Sequence, residues 1–230
     1  VFPLFLFVMG MSIPYAIERR SSKGYSELST IIHILTRTFA LLIMGVYTVN
    51  TEYGFSTDMA INRDVFRILM VLAFLLIWNL YPKTDKKVRY LYDVLKIIGG
   101  LILLYLAMIY LYDKGEIMQV RWWGILGSIG WTYLVCSLIY LFVRNKISVI
   151  LAFWIVFVIL CLIKSSNLIP RESFINSFIN IFHLGTGANV SFTMGGILLS
   201  LILVKYRDAV SYKKIIFLVS TVILFFLLAA

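Results

Sequence analysis

Long apolar runs recur along the chain and limit what it can fold into. A helix needs about 20 mainly apolar residues to cross a bilayer, and about 17 suffice. Runs of that kind occupy roughly 1–17, 31–50, 63–81, 94–112, 122–143, 147–163, 187–204 and 213–229, eight in all. In hydrocarbon every backbone N–H and C=O must find its partner within the protein, so such runs fold as helices. The expected fold is an all-α polytopic transmembrane helix bundle of about eight spans. The connecting segments are short, with no internal repeat and no low-complexity stretch. One transmembrane domain over 1–230 is therefore expected.

Composition agrees with that class. Of 230 residues, 61% are hydrophobic and 14% charged, whereas soluble domains are nearer half apolar and a quarter charged. The opening run VFPLFLFVMGMSIPYAIERR is not a secretory signal peptide, because its basic residues follow the apolar stretch instead of preceding it. The net charge of +10 is explained by Lys/Arg-rich cytoplasmic loops. No basic patch interleaves with exposed aromatics, so nucleic acid is not an expected partner. Cys136 and Cys161 both lie in apolar runs and read as packing residues, without a disulfide framework or a metal site.

Basic residues set the expected orientation. The linkers at 18–30, 82–96, 144–147 and 205–214 carry fourteen Lys and Arg, against five in the alternate set. The richer side is expected to be cytoplasmic, which places residue 1 on the outer side. On that outer side Phe174, Phe178 and Phe182 recur every four residues between Pro170 and Gly185. That spacing predicts a short interfacial helix over 170–184, lying on the membrane surface or folded over the bundle as a lid.

Ionisable residues inside spans are costly and are candidates for function. Arg37 lies about two turns into the second run, with His33 one turn earlier on the same face. Its alternatives are snorkelling to the headgroups and binding a phosphate or carbonyl group. Arg67 faces a similar choice near the outer edge. Arg121 heads the stretch RWWGILGSIGWTYLV. Trp122 and Trp123 fit an aromatic belt there. Gly124, Gly127, Ser128 and Gly130 open one helix face to close approach by another helix or by a ligand. GTGANVSFTMGGILLS repeats the theme with Gly187, Ser191, Gly195 and Gly196. Nucleophile elbow, P-loop, HExxH and CxxC motifs are all absent from the sequence. The residues alone leave a transporter, a lipid-linked enzyme and a structural membrane subunit open.

Three stretches in order resemble one family. VFPLFLFVMGMSI is similar to the second membrane helix of the heparan-alpha-glucosaminide N-acetyltransferase family, which carries a VFP-x-F-x-F-x-x-G-x-S-I-like run. RTFALLIMGVYTVN resembles that family's next helix through Arg37, Phe39, Gly45 and Asn50. RWWGILGSIGWTYLV resembles its R-x-P-G-V-L-Q-R-L-G-x-x-Y helix through Arg121, Gly124, Leu126, Gly130 and Tyr133. The nearest look is to bacterial relatives of the domain-of-unknown-function type. The resemblance is clearest over 1–142. Gly127–Ser128 replaces the family's Gln–Arg, and Trp122–Trp123 replaces its x-Pro.

The resemblance implies a transmembrane acyltransferase of the bacterial inner membrane. It would move an acetyl or other acyl group from acetyl-CoA, without a metal, to an amino sugar or another cell-envelope sugar. It also implies that Arg121, Arg37, Gly124, Gly130 and Asn50 bind the donor or acceptor. The family's catalytic histidine precedes the segment that VFPLFLF resembles. The chain is thus expected to be the C-terminal part of a longer protein, without that loop. Neither His33 nor His183 holds the family position, and His183, on the expected outer side, is the remaining candidate base. Expected partners are the bilayer, acyl-CoA and the sugar acceptor, with a homodimer as one option. A glycolipid transporter or flippase and a non-catalytic subunit are the alternatives.

Overall fold

The computed structural model describes residues 2–52, 59–82, 86–111, 117–121, 124–166 and 187–205. Among them the chain is all-helical: α1 (Phe2–Ser22), α2 (Glu27–Glu52), α3 (Arg63–Trp78), α4 (Lys86–Ile109), α5 (Ile125–Val143), α6 (Ile147–Ser165) and α7 (Ala188–Lys205). The first seven apolar runs each fall on a helix. The eighth run, 213–229, and the expected interfacial helix at 170–184 lie outside the described residues.

Four helices are long and apolar enough to cross a membrane: α2, the 88–109 part of α4, α5 and α7. The chain is therefore a membrane protein, with four such helices among the described residues where about eight spans were expected. Length and polarity account for three of the four runs not counted, and the fourth, 213–229, lies outside the described residues. The 16 residues of α3 rise only about 24 Å, short of a hydrocarbon core of about 30 Å. The apolar part of α6, Ile147–Ile163, lies at the lower limit of length for a span. α1 contains Pro14 and ends in the charged run Glu18, Arg19, Arg20. Several boundaries also move. α1 continues through its basic residues to Ser22, α4 starts eight residues before the expected 94, and α5 starts at Ile125 instead of 122.

Local chemistry sets several of these ends. Asn62 caps α3 by accepting from the Asp64 N–H at 3.1 Å, and Asp64 itself suits the positive end of the helix dipole. α5 stops at Arg144, whose N–H donates back to the Tyr140 carbonyl at 2.6 Å. Arg144 adopts φ 48°, the left-handed cap conformation usually left to glycine. For a residue with a Cβ this costs about 1–2 kcal/mol.

The helices gather in two compact units. One contains α1, the part of α5 from Cys136, α6 and α7; the other runs from Leu28 to Val135 through α2, α3, α4 and the first part of α5.

In the first unit α7 packs against α1 and α6. Close approach is made at glycines. A side chain at Gly10 would collide with the Thr193 backbone, and one at Gly196 with the Phe7 carbonyl. Pro14, four residues after Gly10 in the same helix, lacks the N–H that would bond the Gly10 carbonyl. The Thr193 hydroxyl lies 3.0 Å from the Asn189 carbonyl of its own helix and 3.3 Å from the Leu6 carbonyl of α1, and its one proton is shared between the two. Small residues drive helix contact in lipid because tight packing takes the place of a hydrophobic force.

In the second unit α3 packs against α4, and the core is aromatic. Tyr47, Phe66, Met70, Ala73, Leu103, Leu106 and Tyr110 are all buried together. Phe66 meets Tyr110 edge-on with centroids 5.9 Å apart, and Tyr47 meets Phe74 at 6.2 Å and 88°. Both are favoured quadrupole geometries. α2 packs against the start of α5: a Cβ on Gly45 would lie 2.7 Å from the Gly127 nitrogen, and Gly130 receives Leu41 and Leu42.

Candidate functional site

The last turn of α2 leaves carbonyl groups without helical partners, as every helix end does. Here side chains from two other places in the second unit supply missing donors, and Asn50 of α2 itself ties in a third segment. The Tyr110 hydroxyl donates to the Asn50 carbonyl at 2.7 Å. The Arg63 guanidinium donates from Nε and Nη2 to the Thr51 carbonyl at 3.0 and 2.6 Å, and from Nη2 to Glu52 at 3.1 Å. Asn50, only 1% exposed, donates its Nδ2 to the Val46 carbonyl at 2.7 Å and to the Gln119 carbonyl at 2.8 Å. Its Oδ1 accepts from the Gln119 N–H at 3.3 Å. One buried amide thus bonds both backbone groups of Gln119, in the manner of a strand pairing, and fixes the segment that leads into α5.

That segment presents Arg121. Its Nε and Nη2 donate to the Gln119 Oε1 at 3.3 and 3.0 Å. The acceptor is a neutral amide, so this contact orients the guanidinium without cancelling its charge. The chain of bonds runs from buried Asn50 through Gln119 to Arg121. A planar fork held in this way is suited to a phosphate, carboxylate or carbonyl group.

The expected site residues are distributed as follows. Asn50 and Arg121 come together through Gln119. Arg121 does not head a helix: it belongs to an irregular stretch, and α5 begins four residues later. Gly124 and Gly130 face α2, where Val49 and Leu42 occupy the space a side chain would need. The group that approaches this glycine face is thus a helix. Arg37 is exposed on α2, thirteen residues before Asn50, or about 20 Å along the axis. The described structure does not bring it to the Arg121 cluster. His33 is half-buried one turn before Arg37. Arg67 lies 3.9 Å from Asp64 on the surface of α3. His183, Trp122 and Trp123 lie outside the described residues. No group of three His, Cys, Asp or Glu that could hold a metal ion occurs among the described residues.

Three contributors escaped the sequence reading: Tyr110, Gln119 and Arg63. Tyr110 carried a usable signal, since a tyrosine hydroxyl in an apolar run must find an acceptor. Gln119 carried none, being an ordinary polar residue between two apolar runs.

No curated protein and no solved structure matches the chain. A family match covers residues 1–179, which takes in α1 to α6 and with them every residue of the Asn50–Gln119–Arg121 cluster. The chain belongs to the family described as a domain of unknown function, DUF5009.

Proposed function

We propose that the chain is a membrane acyltransferase module that takes an acetyl or related acyl group from acetyl-CoA and passes it to an amino sugar or another cell-envelope sugar. One observation carries the reading. Asn50 and Arg121 come from two separate stretches that resemble the N-acetyltransferase family, and they meet on Gln119. The glycines of those same stretches pack α2 against α5, Gly45 on Gly127. Two motifs about seventy residues apart therefore build one local arrangement.

In this reading Arg121 grips an anionic or carbonyl group of the donor, and the Asn50–Gln119 pair holds it in register. Fixed orientation of this kind lowers the entropy cost of bringing donor and acceptor together. An imidazole would remove the proton of the attacking amine or hydroxyl, with His183 the candidate from this chain. The protein would lie in a bacterial inner membrane. The basic linkers would face the cytoplasm and the Asn50–Arg121 cluster the outer side, by the excess of Lys and Arg.

The test is acetyl-CoA binding to the purified chain in detergent, by equilibrium dialysis, with wild type, Arg121→Lys and Arg121→Ala. A fork that binds an anion is poorly replaced by a point charge. Both variants should therefore weaken binding by about tenfold or more, in line with 1.5–3 kcal/mol for a charged hydrogen bond. Equal affinity in all three proteins would reduce Arg121 to a membrane anchor, and absence of saturable binding would remove acetyl-CoA as donor.

A further inference from the structure

The first unit holds a second polar site, independent of the function proposed above. The C-terminal ends of α1 and α5 enclose a recess of about 350 Å³ lined by Glu18, Ser21, Ser22, Tyr140, Arg144 and Asn145. Its size lies in the range of small-ligand pockets. We propose that this recess binds a zwitterionic ligand carrying an ammonium and a phosphate group, of the phosphoethanolamine class.

Its floor is Tyr140, fully buried. The phenol oxygen lies 2.9 Å from Glu18 Oε1 and 3.1 Å from the Asn145 amide oxygen as placed. A phenol has a single proton to give. It donates to the carboxylate, and the Asn145 amide turned about its last torsion donates to the phenol. The hydroxyl is then saturated and Glu18 is fixed through one oxygen. Its second oxygen has no hydrogen-bond partner among the described residues, which leaves it able to accept from a ligand.

The opposite charge comes from Arg144. Its backbone is held at φ 48°, an unusual conformation for an arginine, and it is the residue that closes α5. Strained residues of this kind gather at ligand sites. Its Nη2 donates to Glu27 Oε1 at 2.8 Å, which leaves the other N–H groups of the fork for a second acceptor. Glu18 and Arg144 line the same recess, yet form no ion pair with each other. A simple anion there would meet the Glu18 carboxylate and a simple cation the Arg144 guanidinium. A ligand with both charges satisfies both walls, its ammonium on Glu18 and its phosphate on Arg144 with the Ser21 hydroxyl, the Ser22 hydroxyl being given to the Arg19 carbonyl. A primary ammonium has three N–H donors to give, whereas a trimethylated one has none, so choline should be rejected.

The same chemistry comes as a lipid headgroup or as a free phosphoester, and the experiment separates the two. The purified chain is loaded with equimolar phosphatidylethanolamine, phosphatidylcholine and phosphatidylglycerol in detergent, and retained lipid is read by native mass spectrometry. The expected result is retention of the ethanolamine lipid over the choline lipid by about tenfold. That preference should be lost in Glu18→Gln and in Arg144→Gln. Ser21→Phe, at an exposed position, fills the recess while leaving the Tyr140 bonds intact. It should abolish the preference even if Glu18→Gln fails to fold. Displacement by free phosphoethanolamine at millimolar concentration would assign the site to the soluble ligand, and resistance to it would assign the lipid. Equal retention of the three lipids together with no binding of free phosphoethanolamine would overturn the proposal. So would an unchanged ethanolamine preference in Ser21→Phe.

Discussion

The two units meet the same requirement, to hold apolar helices together without water to drive them, by different means. The first brings backbones into contact: Gly10 and Gly196 leave room for nothing but hydrogen at the crossing of α1 and α7. The second keeps large side chains between its helices and ties them with hydroxyl groups. Tyr47 donates to the Leu103 carbonyl at 2.7 Å, and Tyr110 to that of Asn50 at the same distance. In one case stability rests mainly on shape, with the Thr193 hydroxyl as a polar contact at the crossing, and a single added methyl should matter greatly. In the other it is spread over several bonds and ring contacts, each modest. The difference also bears on where chemistry is placed. The polar network of the second unit orients Arg121, whereas the charged groups of the first line the recess around Tyr140.

The largest effect should come from the crossing in the first unit. Gly196→Leu forces a side chain against the Phe7 carbonyl and Met11 nitrogen, backbone atoms that cannot rotate away. Overpacking typically costs about 1–3 kcal/mol, and here the upper end or beyond is expected. Thermal unfolding in detergent should show a drop of many degrees or loss of folded protein. Gly100→Ala is the control in the second unit, since nothing lies within 4 Å of its added Cβ. It should raise stability by up to about 1 kcal/mol through helix propensity. Similar losses in both variants would mean that the crossing is not the close contact described.

A smaller loss is expected in the second unit. Asn50→Leu removes both bonds to Gln119 and should cost about 1–3 kcal/mol, with the lower end favoured in a membrane setting. Tyr47→Phe and Tyr110→Phe each delete one buried bond and should cost about 0.5–1.5 kcal/mol. Hydrogen exchange adds a spatial readout. Asn50→Leu should speed exchange at Gln119 while leaving the middle of α3 protected. If all three variants unfold the protein as severely as Gly196→Leu, the contrast between the units fails.

How much of this was legible beforehand follows from what each feature depends on. The helices were readable because a long apolar run in a membrane has one solution for its backbone. Their ends were less so. Trp122 and Trp123 extend an apolar run, yet α5 begins only at Ile125. Arg144 offers no glycine or asparagine to mark its left-handed cap. The glycines at 124, 127 and 130 announced a close approach but not its partner, because spacing shows which face is open and not what fills it. The Asn50–Gln119 tie joins residues sixty-nine apart, and nothing in either local sequence points to the other. Arg121 was singled out as an arginine at the head of an apolar run. The amide that aims it was not, since Gln119 is unremarkable until α2 is placed beside it.

The smallest effect concerns hydroxyls that the first unit buries without an evident bond. Ser137 on α5 and Ser200 on α7 are fully buried, and neither Oγ has a hydrogen-bond partner among the described residues. Thr38 on α2 is a like case in the second unit, whereas other hydroxyls bond within their own helices. Thr36, Thr48 and Ser191 all bond a carbonyl three or four residues back in their own helices. An unbonded buried hydroxyl is a cost that an alanine of nearly the same size does not carry. Ser137→Ala and Ser200→Ala should therefore leave stability unchanged or raise it by up to about 1 kcal/mol, measured by the same unfolding assay. A loss of more than about 1 kcal/mol in either variant would mean that its hydroxyl makes a bond worth keeping. The first unit would then hold more polar ties than those of Thr193 and Tyr140, and the contrast with the second would narrow from that side.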